Sequence, residues 1–384
     1  MLPARPSYNA LMKKDAKNIE APSVSTPLER LIRGAITRNG GWLPFDRFMA
    51  MALYAPGMGY YARGDRQFGS LPHSGSDFIT APELSPLFGA ALAKQVGQAL
   101  EGCDSHQVWE FGAGSGALAA QLLTALGDQV QRYTIVELSA VLRERQRTTL
   151  AAFAAKVDWV DALPDAMQGV VVGNEVLDAM PVQLLHFDGV TWAEMGVTWA
   201  EEKLMWSDRA THLKPPFDSA FPPDSITEVH PQAEAFIDTL GERLQRGAAF
   251  FIDYGFPEAE YYHPQRHMGT LMCHHRHLAD GNPLLQVGEK DITAHVNFTG
   301  IAVAAQTAGM DILGYTSQAR FLMNCGVMEL LKGADIQTTA NTQKLLTEHE
   351  MGELFKVIAF AKGCTSAFNT SPLGFANGDR THTL

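Results

Sequence analysis

The chain has 384 residues, 30 Lys+Arg against 42 Asp+Glu for a formal net charge of −12, and 46% hydrophobic residues. That apolar share supports a large core and excludes a disordered chain, while the acidic balance excludes broad phosphate-backbone binding and so a nucleic-acid partner. No run reaches the roughly 18–20 uninterrupted apolar residues of a membrane span, and Cys103, Cys273, Cys325 and Cys364 lie far apart without a CxxC pair, which describes no disulfide scaffold and fits a reducing compartment.

Residues 1–25 hold three prolines, four Lys/Arg and two acids with no apolar h-region. They read as a flexible lead-in, neither signal peptide nor Arg-rich presequence, so a cytoplasmic protein is expected. From Thr26, the residues Leu28, Leu31, Ile32 and Ile36 recur at helix spacing until Asn39-Gly40-Gly41. A second helix is predicted between Pro44 and Pro56, then the aromatic, glycine-rich loop Pro56-Gly57-Met58-Gly59-Tyr60-Tyr61. A polar loop at 77–83 precedes a helix at 85–100.

The rhythm then changes. Short apolar runs at 108–111, 133–136, 157–160 and 170–172 alternate with helical stretches at 117–126 and 138–153. This is the signature of a parallel sheet in an α/β fold. Residues 183–206 instead alternate apolar and polar around Asp188-Gly189, a hairpin signal, and 183–231 is read as an antiparallel insertion. A helix at 233–244 and a fifth buried strand at 248–252 resume the pattern. A polar loop is expected at 256–291, then a helix at 296–308 and strands at 312–315 and 354–361, for seven strands with a final antiparallel pair.

The central motif is Glu110-Phe111-Gly112-Ala113-Gly114-Ser115-Gly116, after a strand and before a helix. Glycines let the backbone turn tightly and approach a ligand, and the helix start offers free N–H donors. Two ligands compete. Gly112, Gly114 and Ala117 satisfy the dinucleotide pattern G-x-G-x-x-G/A. Glu110, Gly112, Gly114 and Gly116 satisfy the acid-then-G-x-G-x-G pattern of S-adenosylmethionine (SAM) sites in class I methyltransferases. Glu137 closes the second strand 21 residues after Gly116, where a carboxylate can accept from ribose hydroxyls of either ligand. Asp161, after the third strand, is a candidate for the adenine edge. The discriminating segment is Asn174-Glu175-Val176-Leu177-Asp178-Ala179-Met180-Pro181, after the fourth strand. Methyltransferases acting on nitrogen keep polar residues there, and a simple dehydrogenase needs none. Cys273, His274, His275 and His277, with His263 and His267 nearby, crowd one segment, but adjacent histidines rarely converge on one ion, so no metal is expected.

At these residues the sequence resembles the MidA-type SAM-dependent methyltransferases, which include the mitochondrial complex I assembly methyltransferase. The resemblance runs from about residue 27 to 384. It is carried by the 56–61 loop, Ser76-Asp77-Phe78-Ile79-Thr80-Ala81-Pro82-Glu83, the 110–116 loop, the 174–181 segment, Asp253-Tyr254-Gly255, and Gly288-Glu289-Lys290-Asp291-Ile292-Thr293-Ala294-His295-Val296-Asn297-Phe298. It implies a class I, Rossmann-like α/β fold with a helical cap at 26–105, a core at 106–182 and 232–384, and the 183–231 insertion on the substrate side. It implies SAM contacts from Thr80, Pro82, Glu83, Glu110, Gly112, Gly114, Gly116, Glu137, Asp161 and Asn174. Relatives methylate arginine on a complex I subunit, which implies a protein substrate with a basic side chain; a homodimer is compatible with this reading. Catalytic positions are then Glu175, Asp178, Asn174 and Asp253. Well-known arginine methyltransferases use two glutamates on the guanidinium; here Glu175 occupies the comparable place, with Asp178 as candidate for the second carboxylate. Two alternatives stand: a nucleotide-dependent oxidoreductase on the Gly112, Gly114, Ala117 pattern, and a non-catalytic SAM-binding assembly factor.

Overall fold

The computed structural model describes residues 26–63, 79–275 and 278–384. The expected lead-in, the Ser76-Asp77-Phe78 part of the family motif and His277 lie outside the described residues. The chain divides into two compact units, one of Met1–Gln67, Ala179–Gln232 and Tyr262–Ala294, the other of Phe68–Asp178, Ala233–Tyr261 and His295–Leu384.

The second unit is built on seven strands: β1 (Gln107–Phe111), β2 (Arg132–Val136), β3 (Val157–Val160), β4 (Met167–Asn174), β5 (Leu244–Phe256), β6 (Asp311–Ser317) and β7 (Phe355–Lys362). Their order across the sheet is β6-β7-β5-β4-β1-β2-β3, with the short strand Val296–Asn297 added beside the end of β5. The five strands β1 to β5 run parallel and β7 is antiparallel to both β5 and β6. Parallel strands are covered on both faces and therefore read as unbroken apolar runs. Val170, Val171 and Val172 of β4 and Ala248 to Phe251 of β5 are fully buried.

Helices α1 (Ala81–Leu84), α2 (Pro86–Gly102), α3 (Ala117–Leu126), α4 (Ala140–Thr149), α5 (Pro231–Arg243) and α6 (Phe298–Thr307) connect and cover the sheet. Their starts are chemically marked. Ser85 accepts from the Leu87 N–H to cap α2, Ser139 from Leu142 to cap α4, and Asn297 from Gly300 to cap α6. Phe236 of α5 meets Phe111 and Phe251 edge-on, at 5.0 and 5.9 Å between ring centres.

Register levels the strand ends. Phe111 pairs with Val136 and with Gly173, Val136 with Val160, and Ile252 with Asn174. The residues that follow, Gly112, Glu137, Asp161 and Glu175, therefore leave the sheet at one edge. β1, β2 and β3 progress one way across the sheet and β4 and β5 the other, so β1 and β4 flank the switch point where open α/β sheets bind ligands.

The first unit has its own core. Helix Pro27–Arg38 opens with a reciprocal capping box: Thr26 accepts from the Glu29 N–H at 3.1 Å, and Glu29 accepts from the Thr26 N–H at 2.7 Å. It and helix Phe45–Tyr54 bury Leu28, Ile32, Phe45, Phe48 and Met49 with Leu184, Met195 and Val197. The antiparallel strands expected at 183–231 are present as Gln183–Phe187, Trp192–Ala200, Lys203–Ala210 and Ser225–Val229, joined at one edge by Leu43–Pro44.

Two expectations are corrected. The stretch 256–291 is not simply a polar loop: it holds helix Glu258–Tyr261 and the strands Met272–His275, Leu278–Asp280 and Asp291–Thr293 of a three-stranded sheet. Strands of three or four residues are too short for alternation to register. And the cysteines are not all unpaired. Cys103, closing α2, and Cys364, just past β7, form a disulfide with Cα atoms 4.4 Å apart, although 261 positions separate them. Cys273 and Cys325 are free and buried.

Candidate active site

The glycine loop leaves β1 with three left-handed residues, Gly112 (φ 64°), Gly114 (φ 52°) and Gly116 (φ 85°), the last capping α3. L side chains rarely adopt this conformation. At Gly112 a Cβ would also meet Val176 Cγ2 at 2.7 Å, so the loop is closely backed by the β4 turn.

Its outer side is held by α1. Ser115 Oγ donates to the Glu83 carboxylate and accepts from the Ala117 N–H at 3.3 Å. Gln121 of α3 accepts from the Gly89 N–H at 2.9 Å and donates to the Pro82 carbonyl at 2.7 Å. Thr80, Pro82 and Glu83 are thus brought to the loop, with Thr80 as the residue preceding α1.

The two remaining glutamates differ. Glu110 points into the core: it is 2% exposed, and Tyr133 donates to its Oε2 at 2.7 Å. Burial pushes its carboxyl up to about 8, against the lowering effect of that hydrogen bond. Glu110 therefore braces β1 against β2. Glu137 stands at the end of β2, accepting from the Ser139 N–H at 2.8 Å on Oε1 and from Gln146 Nε2 at 3.2 Å on Oε2. Burial raises its carboxyl, and these donors and Arg143 hold it down. With the Leu138 N–H as a further donor, three of about four acceptor sites are met and one is left for a donor such as a ribose hydroxyl. Asp161 follows β3 in an exposed bend.

Beyond β4 the chain turns through Glu175, a non-glycine residue at φ 54°. Such a conformation costs about 1–2 kcal/mol and concentrates at functional sites. It is enforced from both sides. The Glu175 N–H donates to the Ile252 carbonyl at 2.9 Å, and Asp253 Oδ2 accepts from the N–H groups of Val176 (3.0 Å), Leu177 (2.8 Å) and Asp178 (3.3 Å). Asn174 Nδ2 donates to Glu175 Oε1 at 3.0 Å. Asp253 and Asp178 are 1% and 4% exposed. Those three N–H donors make Asp253 a clamp on the turn, while burial, then the charges of Asp178 and Glu175, hold its carboxyl well above the usual carboxylate range.

Sequence reading missed Ser115, Gln121 and Gln146, whose polar side chains on a loop and two helices look like ordinary surface residues.

The geometry fits SAM. The glycine cradle stands at the switch point, an acid at the end of β2, and Asn174 Oδ1 is buried with no hydrogen-bond partner among the described residues, an acceptor suited to a ligand donor. The fold and strand order are those of a class I methyltransferase. Residues 91–316 match the model of a family of S-adenosyl-L-methionine-dependent methyltransferases, and the chain belongs to that family; SAM is its cofactor. It is similar to a protein from Burkholderia thailandensis crystallised with S-adenosyl-homocysteine, at 49% identity and a TM-score of 0.89, covering 95% of this chain and 100% of that one. It is also similar to the protein arginine methyltransferase NDUFAF7, mitochondrial, of Homo sapiens (27% identity, 89% of this chain, 85% of the relative) and to the NDUFAF7 homolog of Caenorhabditis elegans (25%, 84% and 83%).

Proposed function

We propose that this methyltransferase acts on a protein side chain, with the guanidinium of arginine as acceptor, and that it serves respiratory complex I assembly as the family resemblance implies. The observation that carries the acceptor is Glu175, a carboxylate held in a left-handed turn beside the buried acids Asp178 and Asp253. Backbone strain of this kind fixes a side chain where an unstrained turn would place it elsewhere. The names of the human and nematode relatives support the same acceptor.

SAM, when bound, supplies a methyl group already activated on a sulfonium. The protein's part is placement. Gly112, Gly114 and Gly116 admit the cofactor against backbone, Glu137 takes the ribose, and Asn174 offers its free acceptor. Thr80, Pro82 and Glu83 border the glycine loop, and Asp161 takes the adenine edge. Glu175 pairs with the incoming cation, since a carboxylate and a planar guanidinium form paired, charge-assisted hydrogen bonds. Asn174 fixes the Glu175 rotamer, Asp253 fixes the backbone beneath it, and Asp178 supplies the second acid. An acceptor nitrogen so held reacts without diffusing, which is where orientation lowers the barrier.

The test uses labelled SAM and extract of a strain lacking the protein, with mass spectrometry of the labelled product. A methylated arginine on a protein is expected; label confined to a small molecule would overturn the reading. Glu175→Gln should bind SAM as the wild type does while transfer falls roughly 10–100-fold, the loss of one charged hydrogen-bond partner. Wild-type turnover by that variant would remove Glu175 from the mechanism.

A further inference from the structure

Gln146 sits in the middle of α4 and its residue is fully buried. A buried primary amide must place two donors and an acceptor, and this one is met on both sides. Nε2 donates to the Gly114 carbonyl at 3.1 Å and to Glu137 Oε2 at 3.2 Å; Oε1 accepts from Trp159 Nε1 at 2.9 Å. Gly114 belongs to the loop after β1, Glu137 to the end of β2, and Trp159 lies in β3, two residues before Asp161. One side chain from a helix thus ties together the ends of three neighbouring strands.

We propose that Gln146 is the positioning residue that sets the Glu137 carboxylate, and with it the glycine loop, for the ribose of SAM. The proposal rests on the reading of Glu137 as the ribose ligand. Three features of the residue support it. Without Gln146, Glu137 Oε2 loses the Nε2 donor at 3.2 Å, and the carboxylate keeps only main-chain donors from the adjoining turn, the N–H groups of Ser139 and Leu138. The amide is neutral, so it orients the acid without forming an ion pair that would compete with ribose hydroxyls. And it can accept from the indole while donating to two oxygens, which neither an acid nor an amine of the same length can do. Groups that contact a ligand are held in register by a supporting layer of this kind. Arg143 plays a different part: its guanidinium donates to the Glu137 backbone carbonyl, through Nε at 2.7 Å and through Nη2, and acts on the carboxylate through its charge.

The experiment is a double-variant cycle read by calorimetric binding of SAM and of S-adenosyl-homocysteine to the full chain, with melting curves to establish folding. Gln146→Met keeps length and volume and removes all three hydrogen bonds. Gln146→Leu, a smaller apolar replacement, also removes all three hydrogen bonds and serves if the first variant does not fold. Either should weaken SAM about tenfold, the worth of a hydrogen bond or two at a charged group, while kcat at saturating SAM and the KM for the acceptor protein stay near wild type. The decisive result is non-additivity: in a Glu137→Gln background, removing Gln146 should cost clearly less than it does in the wild type, because the part of its effect that passes through the carboxylate is already gone and only its hold on the Gly114 carbonyl is left to lose. Wild-type affinity in the folded Gln146 variants, or losses that multiply in the double variant, would overturn the proposal and leave Glu137 as ribose ligand intact. Undiminished SAM binding by Glu137→Gln alone would instead overturn the ribose assignment, and this proposal with it.

Discussion

At the scale of the residue, acids with similar places in the sequence have different physical lives. Glu110 opens the glycine motif, yet its carboxyl lies in the core against Tyr133 and is pushed up to about 8. The sign of the consequence is fixed. An unfolded glutamate ionises near 4.5, so between about 4.5 and 8 the folded chain holds a proton that the unfolded chain has lost. Stability carried by this group is therefore present below 4.5 and declines by roughly 1.4 kcal/mol per pH unit until the folded group ionises. Glu110→Gln should flatten the fall in stability between those pH values, measured by denaturant unfolding at several pH values. An unchanged slope would show that Glu110 is ionised when folded. Glu137, Glu175 and Asp253 were also legible as residues, because each stands at or near a strand end. Their distinct tasks were not: the positive φ of Glu175 and the three N–H groups on Asp253 are properties of a turn, and no spacing rule encodes them.

At the scale of the element, the loop between β1 and α3 depends on its neighbour across the switch point. Gly112→Ala places a methyl in a left-handed residue, at about 1–2 kcal/mol, and drives it into Val176. The variant should fold with a lowered melting temperature and bind SAM weakly by calorimetry; full affinity would mean that the loop backbone is not the cofactor's contact. The strands were the most legible part of the molecule. All seven apolar runs, from 108–111 to 354–361, form strands of the large sheet, and the central β4 and β5, covered on both faces, read as near-continuous apolar stretches. Gln146 was opaque for the opposite reason. It lies in a helix whose neighbours Arg143, Glu144, Arg145 and Arg147 advertise solvent, and only the tertiary contact with Trp159 reveals that it is buried.

At the scale of the whole molecule, the charge of −12 matters less as a sum than through where Glu110, Glu137, Glu175, Asp178 and Asp253 fall, in or just beyond β1, β2, β4 and β5. The disulfide is the feature that composition hid. Spacing rules look for near neighbours, and Cys103 and Cys364 become neighbours only when the C-terminal end of α2 meets the chain just past β7, where the Thr365 N–H donates to the Gly102 carbonyl at 2.9 Å. Reductant, or Cys103→Ala with Cys364→Ala, should lower stability by roughly 2–4 kcal/mol, seen as a drop in melting temperature against the oxidised protein; equal melting under both conditions would show the thiols unlinked in solution. The bond also changes what kind of object the chain is. Everything from residue 103 to 364, including every strand of the large sheet, lies on a closed covalent ring, and α1, α2 and the helices before them are joined to it at residue 103 alone along the chain. A single protease cut anywhere in that ring opens it without dividing it, so the core can be nicked and still remain one molecule.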